Sequence, residues 1–232
     1  MQQLQSICIL RLSAIGDVCH AVAAVQAIQR HYPQAKITWI AGKVEAMLLK
    51  DLPGVELVVF DKKLGFKAYA DLKQKLQGRQ FDVLLHMQVA LRATLASLAI
   101  SAKVRIGFDR ARAKEGQWLV TNHRVEPLEN PHVLEGFMGF AKAIGVSDLT
   151  PHWNIPVPKA DTEFAQSHIA EGEKVLIICA AASKAERNWL PERYAAVAQH
   201  AVNKGYRVIL CGGPTALEKT LADDIANACS AK

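Results

Sequence analysis

The chain has 232 residues, half of them hydrophobic and 22% charged. That balance belongs to a globular protein with enough apolar surface for one large core or two smaller ones, and it excludes a disordered, collagen-like or membrane-spanning chain. A net charge of +6 and a pI near 9.1 suit an acidic substrate, an acidic membrane surface or nucleic acid without choosing among them. The lysines and arginines are spread along the chain, so a solvated basic surface accounts for the surplus equally well. The five cysteines, at 8, 19, 179, 211 and 229, include no Cys-x-x-Cys pair, which argues against a zinc site or a disulfide framework. Cys8, Cys179 and Cys211 lie in apolar runs and read as small buried hydrophobes. With no charged leader at the start and no apolar run near the roughly 18 residues of a membrane span, a cytoplasmic protein is expected.

Residues 7–10, Ile-Cys-Ile-Leu, form a short continuous apolar run of the kind a parallel strand shows when buried on both faces. Ser13, Gly16 and Asp17 follow, and Val18, Ala21, Val22 and Val25 then recur at helical spacing as far as His31. The prediction is strand, tight loop, helix. In an open parallel sheet such a loop lies outside the carboxyl end of its strand, where ligands bind, and the helix it opens offers unpaired N–H groups to an anion. Asp17 sits at that mouth, as a helix N-cap or as a carboxylate within reach of a substrate proton. His20, one turn on, has the same choice between a structural role and the cleft.

Further strands are predicted at 37–40, 57–60, 83–85 and 104–106, with helices at 18–30, 44–49, 69–76 and 91–99. Alternating strands and helices argue for βαβ units and an α/β fold with a parallel sheet. Residues 108–124 are a polar stretch carrying Arg110, Arg112, Lys114 and Arg124, and long loops of this kind are often functional. A helix is predicted over 132–144, closed by Gly145. Prolines at 151, 156 and 158 mark an extended linker over 151–160, separating a domain at 1–150 from one at 161–232. The second domain is expected to hold a strand at 174–183, a helix entered at Pro191 and closed by Gly205, a strand at 207–211, and a helix over 215–228. Two strand-helix units make an incomplete sheet with an open edge, so self-association is expected.

The segment 11–42, Arg-Leu-Ser-Ala-Ile-Gly-Asp-Val through to Trp-Ile-Ala-Gly, resembles the opening of the ADP-heptose:lipopolysaccharide heptosyltransferases, glycosyltransferase family 9. The resemblance implies a GT-B fold of two Rossmann-like domains, with Asp17 as the general base and Ser13, Gly16 and His20 on the acceptor side. Residues 183–191, Ser-Lys-Ala-Glu-Arg-Asn-Trp-Leu-Pro, resemble the family's segment after the first strand of the second domain. There Arg187 stands where a lysine is common, meeting the donor's phosphates, with Ser183, Lys184 and Trp189 as further donor contacts. A guanidinium keeps the charge and grips a diphosphate with two parallel hydrogen bonds. Residues 84–97 look like the family's acceptor-facing loop, with Arg92 in place of its basic residue; Arg92, Arg110 and Arg112 then suggest a positive wall for an acidic core oligosaccharide.

The implied reaction is inverting and metal-independent, without a cofactor, moving a heptose or similar sugar from a nucleotide diphosphate to a lipopolysaccharide core acceptor, with peripheral contact to the inner membrane. The family's downstream Asp-(Ser/Thr)-Gly-x-x-His motif is absent from these residues, so the resemblance implies that the C-terminal third is lacking. A remnant acting only as a binding domain therefore stays open as the alternative. A nicotinamide dehydrogenase is disfavoured by the missing Gly-x-Gly-x-x-Gly, and nucleic-acid binding by the lack of basic-aromatic interleaving.

Overall fold

The apolar runs of the first half line up side by side in a computed structural model that describes residues 3–129, 132–182 and 185–229. In chain order they are β1 (Ser6–Leu10), α1 (Ile15–His31), β2 (Lys36–Gly42), α2 (Lys43–Leu49), β3 (Val55–Phe60), α3 (Lys67–Lys75), β4 (Phe81–His86), α4 (Leu91–Ser97), β5 (Ala102–Gly107), β6 (His123–Arg124) and α5 (Val133–Ala143). The strands form one parallel sheet in the order β3-β2-β1-β4-β5-β6. Sequence order reverses between β1 and β4, where Ile7 sits opposite both Ile37 and Val83.

β1 shows why the sheet is buried on both faces. Its period of two sends Ile7 and Ile9 to the core beneath α1 and α5, and Cys8 and Leu10 to a second core beneath α3 and α4. On the first face α1 is rich in alanine (Ala21, Ala23, Ala24, Ala27), which lets α5 approach with Phe137, Phe140 and Ala141. On the second, Leu72 of α3 and Ala93 and Ala96 of α4 close the layer.

β6 has no apolar pattern, since both its residues are exposed, and the sequence gives no sign of it. It is held because the side-chain amide of Asn122 extends the ladder, accepting from the Arg105 N–H at 2.7 Å and donating to the Lys103 carbonyl at 3.2 Å.

The chain divides into two units, Met1–Val157 and Pro158–Lys232. The second contains α6 (Lys159–His168), β7 (Val175–Ile178), α7 (Pro191–Asn203), β8 (Arg207–Leu210) and α8 (Ala216–Ala228). β7 and β8 pair in parallel, with Val175 opposite Arg207. A small core of Ala195, Leu221 and Ile225 joins α7 to α8, whose start is fixed by a capping box between Thr215 and Glu218. Within this unit the two strands are the whole described sheet, and the two sheets are separate.

Two expectations change. Cys8 is buried, but Cys179 and Cys211 are exposed, because β7 and β8 stop at Ile178 and Leu210 and leave both thiols in the loops beyond. The segment 151–160 is not one extended linker. Its first half is tied to α1: Trp153 donates its indole N–H to the Cys19 carbonyl at 3.0 Å, and the Gln26 amide exchanges two hydrogen bonds with the Asn154 backbone at 2.8 and 3.0 Å. Its end is the start of α6, which the sequence did not announce because none of its residues is buried and its apolar periodicity is weak.

Candidate active site

The strand order reverses between β1 and β4, and a cleft at such a switch point is where an open parallel sheet binds its ligand. The loops after these two strands are stitched together. Met87 donates its backbone N–H to the Leu10 carbonyl at 3.0 Å, and Leu12 donates to the Gln88 side-chain oxygen at 2.6 Å. The Gln88 amide nitrogen in turn donates to the Ser13 hydroxyl at 3.2 Å.

Arg11, the first residue beyond β1, turns inward at this seam. It donates from Nη1 to the Met87 carbonyl at 2.7 Å, lies over the Phe137 ring at 5.2 Å from its centroid, and gives Nη2 to the Asp17 carboxylate. Its Nε is buried without a hydrogen-bond partner among the described residues. Burial pushes the Arg11 guanidinium below its usual range while the neighbouring Asp17 pushes it back, and an arginine so placed stays charged.

Asp17 is not the N-cap of α1. Ala14 holds that position, and Asp17 is third in the helix, its Oδ2 accepting the Ala14 N–H at 3.4 Å as well as the Arg11 donor. A carboxylate in the first turn is favoured by the unpaired N–H groups there. Both bonds fall on Oδ2, so Oδ1 has no protein partner among the described residues. The side chains of Arg11 and Asp17 are 11% and 37% exposed, so the cation is behind and the carboxylate in front.

This pair opens into a cleft of about 460 Å³ that Ser13, Gln88, Arg112 and His132 also line. Arg112 is held against Phe108, 5.1 Å from the ring centroid, and pairs with Asp109. Burial pushes the Asp109 carboxyl up, but the hydrogen bonds from Arg112 and from the Ala111 backbone outweigh it and hold it below the usual range. Gly136 on α5 makes the room: a Cβ there would meet Arg112 Nη1 at 2.9 Å.

Behind the cleft, Gln117 folds the 108–124 loop onto the sheet. Its fully buried amide accepts from the Phe108 N–H at 3.0 Å and donates toward His86 Nδ1 (3.2 Å), the His86 carbonyl (2.8 Å) and the Gln88 carbonyl (3.2 Å). Burial first, and then the charge of Arg105, push His86 down to about 4, so the ring is neutral at pH 7.

The other residues singled out from sequence are dispersed. His20 is beside the cleft, its ring edge-on to that of His132 at 5.8 Å. Gly16 is exposed with open space around it. The positive wall divides in three: Arg112 faces Asp17, Arg92 lines a groove of about 250 Å³ with α2, and Arg110 lines a pocket of about 500 Å³ with Trp118 and Arg124. Ser13 belongs to both the Asp17 cleft and the Arg92 groove.

In the second unit, Arg187 ends a short 3-10 turn (Ala185–Arg187) beyond β7 and is exposed. The Asn188 side chain accepts from the Ala182 N–H at 2.7 Å and closes the loop. Trp189 stands edge-on to Tyr194 at 5.2 Å with Arg193 over its ring. Ser183 and Lys184 lie outside the described residues. Among the described residues no group of three His, Cys, Asp or Glu side chains is placed to hold a metal ion, and no helix is long and apolar enough to cross a membrane.

Two Rossmann-like parallel units in one chain, the first with a charged cleft at its switch point, define an α/β protein of the GT-B type. Comparison with known proteins narrows this. The description of glycosyltransferase family 9 (heptosyltransferase) matches residues 69–232, and the chain belongs to that family. It is 47% identical over 225 residues to the lipopolysaccharide core heptosyltransferase OpsX of Haemophilus influenzae, a match covering 97% of this chain and 65% of that protein. It is 20% identical to lipopolysaccharide heptosyltransferase 3 of Escherichia coli over 92% of this chain and 66% of that one. The chain thus spans about two thirds of the length of these relatives. Among solved structures, a family 9 glycosyl transferase from Veillonella parvula matches with a TM-score of 0.84 at 17% identity, over 100% of this chain and 69% of that one. The E. coli heptosyltransferase WaaC with ADP matches at 0.74 and 19%, over 97% and 73%. At such identities these two likenesses speak for the fold alone.

Proposed function

We propose that the protein is an inverting, metal-independent glycosyltransferase that moves a heptose or similar sugar from a nucleotide diphosphate donor of the ADP-heptose type to a lipopolysaccharide core acceptor. The observation that carries the reading is Asp17, whose Oδ1 is unpaired in the first unit's cleft while Arg11 fixes Oδ2 from behind. Asp17 takes the proton of the acceptor hydroxyl as that oxygen bonds to the anomeric carbon from the side opposite the diphosphate. The carbon–diphosphate bond breaks, and the charge that develops on the leaving phosphate is met by Arg187, with Ser183, Lys184 and Trp189 as further donor contacts. A base and a cation suffice for such a step. Arg112 and His20 beside the cleft, and Arg92 and Arg110 in the neighbouring pockets, are the proposed contacts to the acidic acceptor. The names of the relatives support this substrate class. A cytoplasmic protein in peripheral contact with the inner membrane follows from an acceptor anchored in lipid.

The test is transfer from ADP-heptose by a version extended to the relatives' length, wild type against Asp17→Asn and Arg11→Gln. Both substitutions break the ion pair, and each costs some stability because a charge loses its partner. Only Asp17→Asn removes the base, so it loses about 10²–10⁴-fold in turnover at temperatures where it remains folded, while Arg11→Gln keeps far more. Equal losses in the two variants make the carboxylate structural. Donor binding without turnover in the wild type leaves a binding domain.

A further inference from the structure

The groove beside Arg92 borders a face that has no place in the transfer chemistry. Residues 62–67, Lys-Lys-Leu-Gly-Phe-Lys, leave β3 in a short 3-10 turn (Lys62–Leu64) and enter α3, and all six are exposed. Phe66 is 89% exposed and Leu64 46%. Across the groove, α2 buries Glu45, Ala46 and Leu49 and turns an apolar side outward, with Val44 57% and Met47 70% exposed. Lys43, Val44 and Met47 from α2 line the same groove as Lys62 and Lys63, so the two segments are neighbours.

The charge around these apolar tips is mostly positive: Lys43, Lys62, Lys63, Lys67 and Arg92 stand against Asp61 and Glu45, and Glu45 is buried under α2. Lys43 is 3.7 Å from Asp61. Lys62, Lys63, Lys67 and Arg92 have no acidic partner among the described residues. A polyanion such as RNA would satisfy the cations but leave Phe66, Leu64 and Met47 in water, and an apolar protein groove would cover the tips but leave the lysines unpaired. A bilayer with acidic headgroups takes both, since apolar side chains enter the acyl boundary while lysine stems keep their ammonium groups at the phosphates.

We propose that this face, formed by α2 and residues 62–67, docks the protein on an anionic lipid bilayer, with Phe66, Leu64 and Met47 entering the headgroup region. It deepens the membrane contact named under the proposed function, and rests on that reading only for its purpose: Ser13 lines both this groove and the Asp17 cleft, so a headgroup held here lies beside the candidate base.

The experiment is co-sedimentation of the 232-residue chain, without donor, with vesicles of phosphatidylcholine alone or of phosphatidylcholine and phosphatidylglycerol in equal amounts. Binding is expected to the anionic vesicles only, weakening with added salt. Phe66→Ser lowers the partition about 10-fold, and Lys62→Glu with Lys63→Glu lowers it by at least about 25-fold, near fivefold for each lysine. Lys36→Glu, at the far end of β2, changes nothing. Equal binding to both vesicle types, or binding unaffected by these substitutions, overturns the proposal. So does a dimer in solution that Phe66→Ser dissociates, for then a second copy covers the face. ADP binding by a version extended to the relatives' length separates the two readings: no ADP binding with vesicle binding intact removes the transferase reading, and ADP binding without vesicle binding removes this one.

Discussion

Acid should destabilise the first unit through one buried ring. His86 ends β4 with no exposed surface, and its Nδ1 receives the Gln117 amide, so the ring proton sits on Nε2, which is buried without a partner among the described residues. Burial and Arg105 lower its pKa from 6.5 to about 4. Between those values the unfolded chain holds a proton that the folded one refuses, so stability is fully present above pH 6.5 and falls as pH drops toward 4. The shift corresponds to about 3 kcal/mol at full extent, given about 1.4 kcal/mol per unit. Urea unfolding over a pH series, followed by the emission of the fully buried Trp39, measures it. His86→Phe puts a somewhat larger apolar ring in the site and leaves Gln117 the carbonyls of residue 86 and Gln88, so at pH 7.5 it costs about 1–3 kcal/mol for the tighter packing and loses the slope. Asp82 does not interfere: Lys103, with the Gln5 and Ser6 N–H groups, lowers it from 3.8 to about 2, so its contribution is lost only below that window. Glu56 and Glu126, which Arg79 and Lys142 hold below 4.5, lose their contribution only toward the acid end of the window, so a slope just below pH 6.5 that survives in His86→Phe refutes the reasoning.

Arg187→Ala, in a version extended to the relatives' length, should weaken ADP binding by about 1.5–3 kcal/mol, the range for a hydrogen bond to a charged group; unchanged calorimetric affinity removes Arg187 from the donor site. Gly42→Ala should destabilise the first unit by about 1–3 kcal/mol, because its Cβ would lie 2.5 Å from the Leu12 carbonyl oxygen and closer still to the buried Glu45 carboxylate. Leu12 O is itself held by the Gly42 N–H at 2.9 Å and has nowhere to move, so an alanine variant with wild-type urea resistance would contradict the packing at this corner.

Much of the architecture was legible because the first unit's strands are buried on both faces and read as plain apolar runs. The GT-B type followed from the order of those runs together with the resemblance of the opening segment. The site was legible only in part. Asp17 stood out through its loop, yet its position third in the helix did not, since Ala14 carries no capping side chain and nothing in the spacing marks it as the cap. Arg11 was missed because a charged residue just past a strand ordinarily points to water; that it turns inward depends on Met87 and Phe137, both far away in sequence. Gln88, Gln117 and His86 are ordinary polar residues until the fold buries them together. The arginines of the expected wall carried charge but no direction, and the sheet sends them to three different pockets.

The position of the cleft has a kinetic consequence. Within each half-sheet the paired residues are nearer in sequence, Ile7 and Ile37 being 30 residues apart and Phe81 and Ala102 21, so each half can form before the two meet. The β1–β4 pairing is different, since Ile7 and Val83 are 76 residues apart, as are Arg11 and Met87, and Leu12 and Gln88. Closing a loop of that length costs entropy that is returned only when the two halves meet. Every hydrogen bond that stitches the Arg11 loop to the Met87 loop crosses this join. A chain with both half-sheets formed but not yet married has its secondary structure and no anchored Asp17, so ligand binding at the cleft reports completion of the first unit's sheet, a later event than the appearance of its helices and strands.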